Sequence, residues 1–128
     1  MKRAIENRED IYLLVKDFYV KLMNDDLMHH FFDEFSNPEL LAEHLQTLVD
    51  FWDNILFFSG TYQKNAMRPH LELHPKKPFK SEHFKQWLLH FNNTVDEHFG
   101  GEIAHAAKSR ALSIATVMQI KIAELEKQ

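Results

Sequence analysis

Cysteine is absent from the 128 residues, which removes disulfides, thiolate nucleophiles and thiolate metal sites and makes an oxidising compartment unnecessary. Glycine and proline are scarce, at 3 and 4, so collagen-like and disordered classes drop out. No apolar run reaches the ~18 residues that a membrane-spanning helix requires. The opening stretch, with Lys2, Arg3, Glu6, Arg8, Glu9 and Asp10, lacks the apolar segment of a signal peptide. The expectation is a cytoplasmic chain with no membrane partner. An excess of one charge is also missing: 15 basic and 19 acidic residues give a formal charge of −4, which offers no electrostatic footprint for nucleic acid. A small neutral partner is the easier fit.

What is abundant is aromatic and imidazole, with 11 Phe and 9 His in a chain that is 45% hydrophobic. Residues 1–128 suit one domain, long enough to bury a sizeable core and too short for two. Two readings of the bias stand open: an aromatic core with surface imidazoles, or an apolar cavity around a metal or flat cofactor.

Spacing predicts helices. Over 8–23, Ile11, Leu14, Val15, Phe18 and Leu22 recur at offsets of three and four, with Tyr12 and Tyr19 beside the stripe. Asn24, Asp25 and Asp26 break it, because short polar side chains compete for the backbone. A short segment over 27–35 contains His29, His30, Phe31 and Phe32. Ser36 and Glu39 read as a capping box with Pro38 in the first turn, opening a helix that runs to about Phe58 and ends on Ser59 and a left-handed Gly60. Its apolar residues cover two sides, and His44, Leu48, Phe51 and Ile55 share one of them. Residues 61–79 form a loop-rich stretch with room for one or two helical turns, around Met67-Arg68-Pro69-His70-Leu71-Glu72-Leu73-His74. Ser81 and Glu82 open a helix to about His98, with Phe84, Trp87, Leu88, Phe91 and Val95 as its stripe. Gly100-Gly101 joins it to a last helix over 102–126. No strand alternation or repeat is present, so the architecture is all-α: two helix pairs with short connectors.

Most catalytic constellations are missing. There is no GxSxG elbow, no phosphate-cradling GxxxxGK[ST] loop, no GxGxxG turn and no HExxH pair. His29 and His30 point about 100° apart on a helix. His70 and His74 have zinc spacing, but Leu73-His74-Pro75 argues against a continuous helix there. Glu34, Asp50, Asp53, Asp96 and Glu97 read as a solvated face. What remains is a set of polar or amphipathic side chains on apolar faces, Tyr19, His44, His70 and Trp87. Each taken alone is an ordinary core residue.

Their order is more specific. Phe18-Tyr19, Phe31, Glu43-His44 with Phe51-Trp52, Gly60-x-Tyr62, His70-Leu71-x-Leu73 and Trp87-Leu88 together resemble group III truncated haemoglobins over nearly the whole chain. The resemblance implies a truncated globin, a two-over-two helical sandwich around haem b (protohaem IX and its iron). It implies His70 as the proximal iron ligand, with Tyr19 and Trp87 as distal donors to a bound gas and His44 as a gating side chain. Phe31 matches the aromatic packed on the haem face, and Leu48, Phe51 and Trp52 the lining of the pocket. Arg68 and Lys64 either pair with haem propionates or sit on a solvated basic loop. His30 is either at the haem edge or a surface histidine, and His29 and His74 are without an assigned role.

The partners implied are O₂, NO and CO, with an unidentified reductase, and the chain is expected to act as a monomer. A distal Tyr and Trp favour redox chemistry of O₂, NO or peroxide, of a dioxygenase or peroxidase kind, because donors around the ligand stabilise charge separation. The alternatives are a reversible O₂-binding, storage or sensing module, and a haem-free helical interaction domain in which Tyr19, His44 and Trp87 are plain core residues.

Overall fold

The computed structural model describes residues 2–60 and 67–127. Five α-helices form α1 (Arg8–Met23), α2 (Pro38–Phe57), α3 (Met67–Leu73), α4 (Ser81–His98) and α5 (Glu102–Glu126), with a short 3-10 helix, His29–Ser36, between α1 and α2. Helix α1 packs on α2 and α4 on α5; the two pairs cross where α1 meets α4 and α2 meets α5. These are the two helix pairs that the stripes predict, in the all-helical two-over-two arrangement that the resemblance implies. Among the described residues there is no strand, and the sole extended pairing is a bridge from Arg3 to Phe99.

Helix starts follow from local chemistry. The Asn7 side chain accepts the Asp10 amide at 2.9 Å and caps α1. Helix α2 corrects the expected capping box: the cap is Asn37, whose Oδ1 accepts the Glu39 and Leu40 amides at 2.9 and 3.4 Å. Pro38 has no amide to be capped and occupies the first helical position, which places the cap one residue after Ser36. Helix α2 ends where expected, but on a different cap. Phe58, not Gly60, is the left-handed capping residue, with φ 57° and ψ 37°. Its amide still closes on the Asn54 carbonyl at 3.0 Å, and the exposed Phe58 ring gives up no packing to get there.

The core is an aromatic pile between the helix pairs. Phe91 is fully buried, stacked on Trp52 at 4.9 Å and Trp87 at 5.8 Å, with Phe18 edge-on at 5.2 Å. Around it lie Ile11, Leu14, Val15, Val49 and Val95. The small residues Ala104, Ala107 and Ala111 are buried on α5 and let that helix approach closely.

The α1–α4 seam is polar. Lys21 Nζ donates to Thr94 at 3.0 Å and pairs with Glu97 at 2.8 Å, while His98 Nε2 meets Asp17 at 2.7 Å. At its end Asp25 holds the turn that follows α1. Its Oδ2 accepts from His90 at 2.5 Å and Gln86 at 2.6 Å, and its Oδ1 accepts the Leu27 amide at 2.7 Å. Burial pushes the Asp25 carboxyl up, but these hydrogen bonds outweigh it and bring the pKa down to about 2. The carboxylate therefore stays charged and fixes where the 3-10 helix begins.

Candidate functional site

Helix α2 has two apolar faces of unequal fate. Leu45, Val49, Trp52 and Leu56 are buried against the core, whereas His44, Leu48, Phe51 and Ile55 are only half-buried. A long helix that leaves a continuous apolar face half-covered has something further to pack against it. His70 is carried by α3. Among the described residues α3 packs on α5 and on no other helix, so it stands clear of α2.

Several large side chains pack against the core and stay half-buried: Phe32, Leu73, Phe79, Trp87 and Leu88. Tyr19 reaches the site from α1. It is 8% exposed, and its hydroxyl shares a 2.8 Å hydrogen bond with His44 Nε2. Burial, followed by the Glu34 carboxylate, raises its pKa, so the phenol keeps its proton. His44 is pushed down to about 4, first by burial and second by the charge on His70. His44 is neutral at physiological pH and stacks on Phe35 at 4.4 Å.

The remaining residues singled out by sequence fall into two groups. Trp87, edge-on to Phe18 at 5.5 Å, is half-buried on α4, and among the described residues its indole N–H has no protein acceptor. Phe31 is buried, stacked on Phe79 at 4.7 Å. The structure brings Tyr19 and His44 into contact, sets Leu48 on the half-buried face of α2 beside His44, and places Phe79 4.7 Å from Phe31 and 6.0 Å from His70. Trp52 lies behind the half-buried face, 3% exposed and stacked on Phe91. Arg68 is exposed and bonded to Glu72 at 2.9 Å. Lys64 and Tyr62 lie outside the described residues.

The segment around His70 forms the short helix Met67–Leu73, the one or two turns that the sequence allows. Pro69 sits in the first turn of α3, where its missing amide is harmless, and the His74 amide bonds the His70 carbonyl at 3.0 Å despite Pro75. As expected at Leu73-His74-Pro75, α3 stops at Leu73 and His74 lies in the turn that follows. His74 still does not join His70 in a metal site, because its ring is buried and turned to Phe79 and Glu126. Among the described residues the single group of three side chains able to gather on a cation is Asp17, Glu97 and His98, and Lys21 already bridges its two carboxylates. Sequence reasoning missed His74, Phe79 and the Asp25 lock. The i+4 spacing of His74 from His70 was visible, but its partner is 52 positions away.

The donor set fits one flat, largely apolar group better than a multidentate ion. It consists of a single imidazole on a helix that stands apart, an opposed face of half-buried aliphatic and aromatic side chains, and a protonated phenol with a neutral imidazole beside it. A fold of two crossed helix pairs with such a gap defines a truncated globin, a haem-binding helical sandwich. The chain belongs to the bacterial-like globin family, which it matches over residues 3–122. It is similar to the group 3 truncated hemoglobin ctb of Campylobacter jejuni, 29% identical over 121 residues that cover 93% of each chain. The crystal structure of group III truncated hemoglobin from Campylobacter jejuni superposes with a TM-score of 0.86 at 28% identity, covering 95% of both chains. The chain is thus a haem-binding globin, of a family that binds diatomic gases. Among the described residues no helix is long and apolar enough to cross a membrane.

Proposed function

We propose that this globin holds protohaem (haem b) in the gap between α2 and α3 with His70 as the iron ligand, and carries out redox chemistry on O₂, NO or peroxide beside Tyr19 and Trp87. One observation carries the reading: α2 leaves the face of His44, Leu48, Phe51 and Ile55 half-buried, while among the described residues the helix bearing His70 packs on α5 and not on α2. Haem, when bound, supplies an iron with an open coordination position and the capacity to exchange electrons with a diatomic ligand.

The chain's own residues set polarity and access. Tyr19 keeps its proton and donates it as a hydrogen bond toward negative charge on the ligand; the unspent indole N–H of Trp87 is a second donor from α4. Two fixed donors hold a polarised ligand better than water does, because they need not reorganise. His44 is neutral, so parting from Tyr19 costs one hydrogen bond and no buried charge; this makes it the gate to the ligand side. Phe31, Leu48 and Phe51 keep water out, and Trp52 supports that wall from the core. Arg68 has its Glu72 partner, which leaves any propionate contact a shared one. The working protein is a cytoplasmic monomer whose electrons come from a separate reductase.

The test is spectroscopic. Protein purified or reconstituted with hemin is expected to show a Soret band and an imidazole-ligated ferrous form, with ligation lost in His70→Ala. A colourless protein that takes up no hemin, or an unchanged spectrum in His70→Ala, overturns the reading. Adding NO to the reduced, air-equilibrated protein with a reductase then distinguishes repeated conversion to nitrate from a single slow oxidation, which would mark a storage protein.

A further inference from the structure

Among the described residues helix α3 packs on α5 alone. None of its seven residues is buried; Met67 and Leu71 lean on a small cluster with Phe84, Met118 and Ile122. The residue that follows it is of another kind. His74 is 6% exposed, and both its ring nitrogens are engaged. The Phe79 amide donates to Nδ1 at 3.0 Å, which leaves the proton on Nε2, and Nε2 donates to Glu126 Oε1 at 2.8 Å in the last turn of α5. The His74 ring lies nearly parallel to Phe79 at 6.1 Å and 19°, and Phe79 in turn neighbours His70 at 6.0 Å and Phe31 at 4.7 Å.

An apolar side chain would fill this position without needing hydrogen-bond partners, since a buried polar ring is costly unless satisfied. What an imidazole adds is direction. Hydrogen bonds at two separate edges of a planar ring fix its rotation, and the ring is continuous with the last helical turn through the His74 amide on the His70 carbonyl. The same ring holds Phe79, the aromatic plate beside His70.

We propose that His74 and Glu126 are positioning residues for His70: the pair pins the end of α3 to the last turn of α5, and through Phe79 sets the orientation of the His70 imidazole. This rests on the reading of His70 as the iron ligand. Groups that orient a metal-bound histidine tune both the retention of the metal group and the strength of the bond. The end of the last helix, remote in sequence, thereby acts on the axial ligand.

The test uses the full chain as parent, Glu126→Ala, Glu126→Gln and His74→Phe. Three readouts are taken: the iron–histidine stretching band of the ferrous haem-loaded protein, the rate of haem transfer to excess apomyoglobin, and amide hydrogen exchange over residues 70–74 of the haem-free protein. Glu126→Ala and His74→Phe are expected to move or broaden the band, speed haem loss by about tenfold and raise exchange. Glu126→Gln keeps an acceptor oxygen and is expected to retain the parent values. Parent-like behaviour of Glu126→Ala in all three readouts overturns the proposal, as does a Glu126→Gln variant as defective as Ala. If His74→Phe fails to fold, the exposed Glu126 decides alone. A stretching band that survives His70→Ala overturns the ligand reading itself; loss of that band with no effect at Glu126 overturns the positioning role only.

Discussion

Tyr19 and His44 show how burial assigns chemistry to ordinary side chains. The phenol is held protonated and the imidazole neutral, so the pair is a hydrogen-bonded couple without net charge. Tyr19→Phe should raise the O₂ dissociation rate roughly tenfold, the loss of one charge-assisted hydrogen bond of ~1.5 kcal/mol; an unchanged rate in stopped-flow mixing removes Tyr19 from the ligand. His44 also links stability to pH. Its pKa falls from 6.5 to about 4 on folding, so between those values the unfolded chain binds the proton that the folded one refuses. The contribution is complete above pH 6.5 and is lost as pH falls toward 4. His44→Gln, neutral at every pH and able to keep the Tyr19 bond, should lose less stability over that window in urea titrations than the parent does. Both residues could be read from sequence as polar groups on apolar faces. Their bond could not, because it joins positions 25 apart on different helices. His74 shows the converse: its spacing from His70 was legible as a metal pattern, and only the tertiary partners Glu126 and Phe79 reveal a different use.

Helix boundaries were legible where backbone chemistry is local. The extent of α1 and the starts of α4 and α5 follow from stripe, turn and glycine signals, and Gly101 adopts φ 91° at the head of α5, where a side chain would be strained. At α2 two capping residues compete in adjacent positions, and the proline decides. Asn37→Ala should cost about 1 kcal/mol, while Ser36→Ala should stay within about 0.5 kcal/mol of the parent, both measured by urea unfolding. Equal effects would return the cap to Ser36. Helix α2 ends at Phe57 with Phe58 as its cap, where the sequence puts it; the left-handed residue was not legible, because glycine is the usual one, whereas here Phe58 takes that conformation while its amide completes a bond to Asn54. The Asp25 lock had no local signal, since Gln86 and His90 approach it from α4.

Across the molecule, one aromatic column ties the two helix pairs together, and Phe91 is its centre. Phe91→Ala should cost roughly 3–5 kcal/mol, read as a fall in the midpoint of thermal unfolding, because it strips stacking from Trp52 and Trp87 at once. A loss below 1 kcal/mol would mean that the column is not the keystone its burial implies. Sequence periodicity was enough to place the long helices, but not to say which of them pack together. It did not reveal the stretch before α1, where Ile5 is buried and Arg3 pairs with Phe99, since a single apolar residue among charges carries no period. The clearance around α3 was equally hidden, because a gap leaves no mark on the chain that surrounds it. Its thermodynamic consequence is reciprocal. A helix with no buried residue of its own acquires its inner surface from whatever fills the space beside it, so the fit of that guest and the folding of α3 are two readings of one equilibrium.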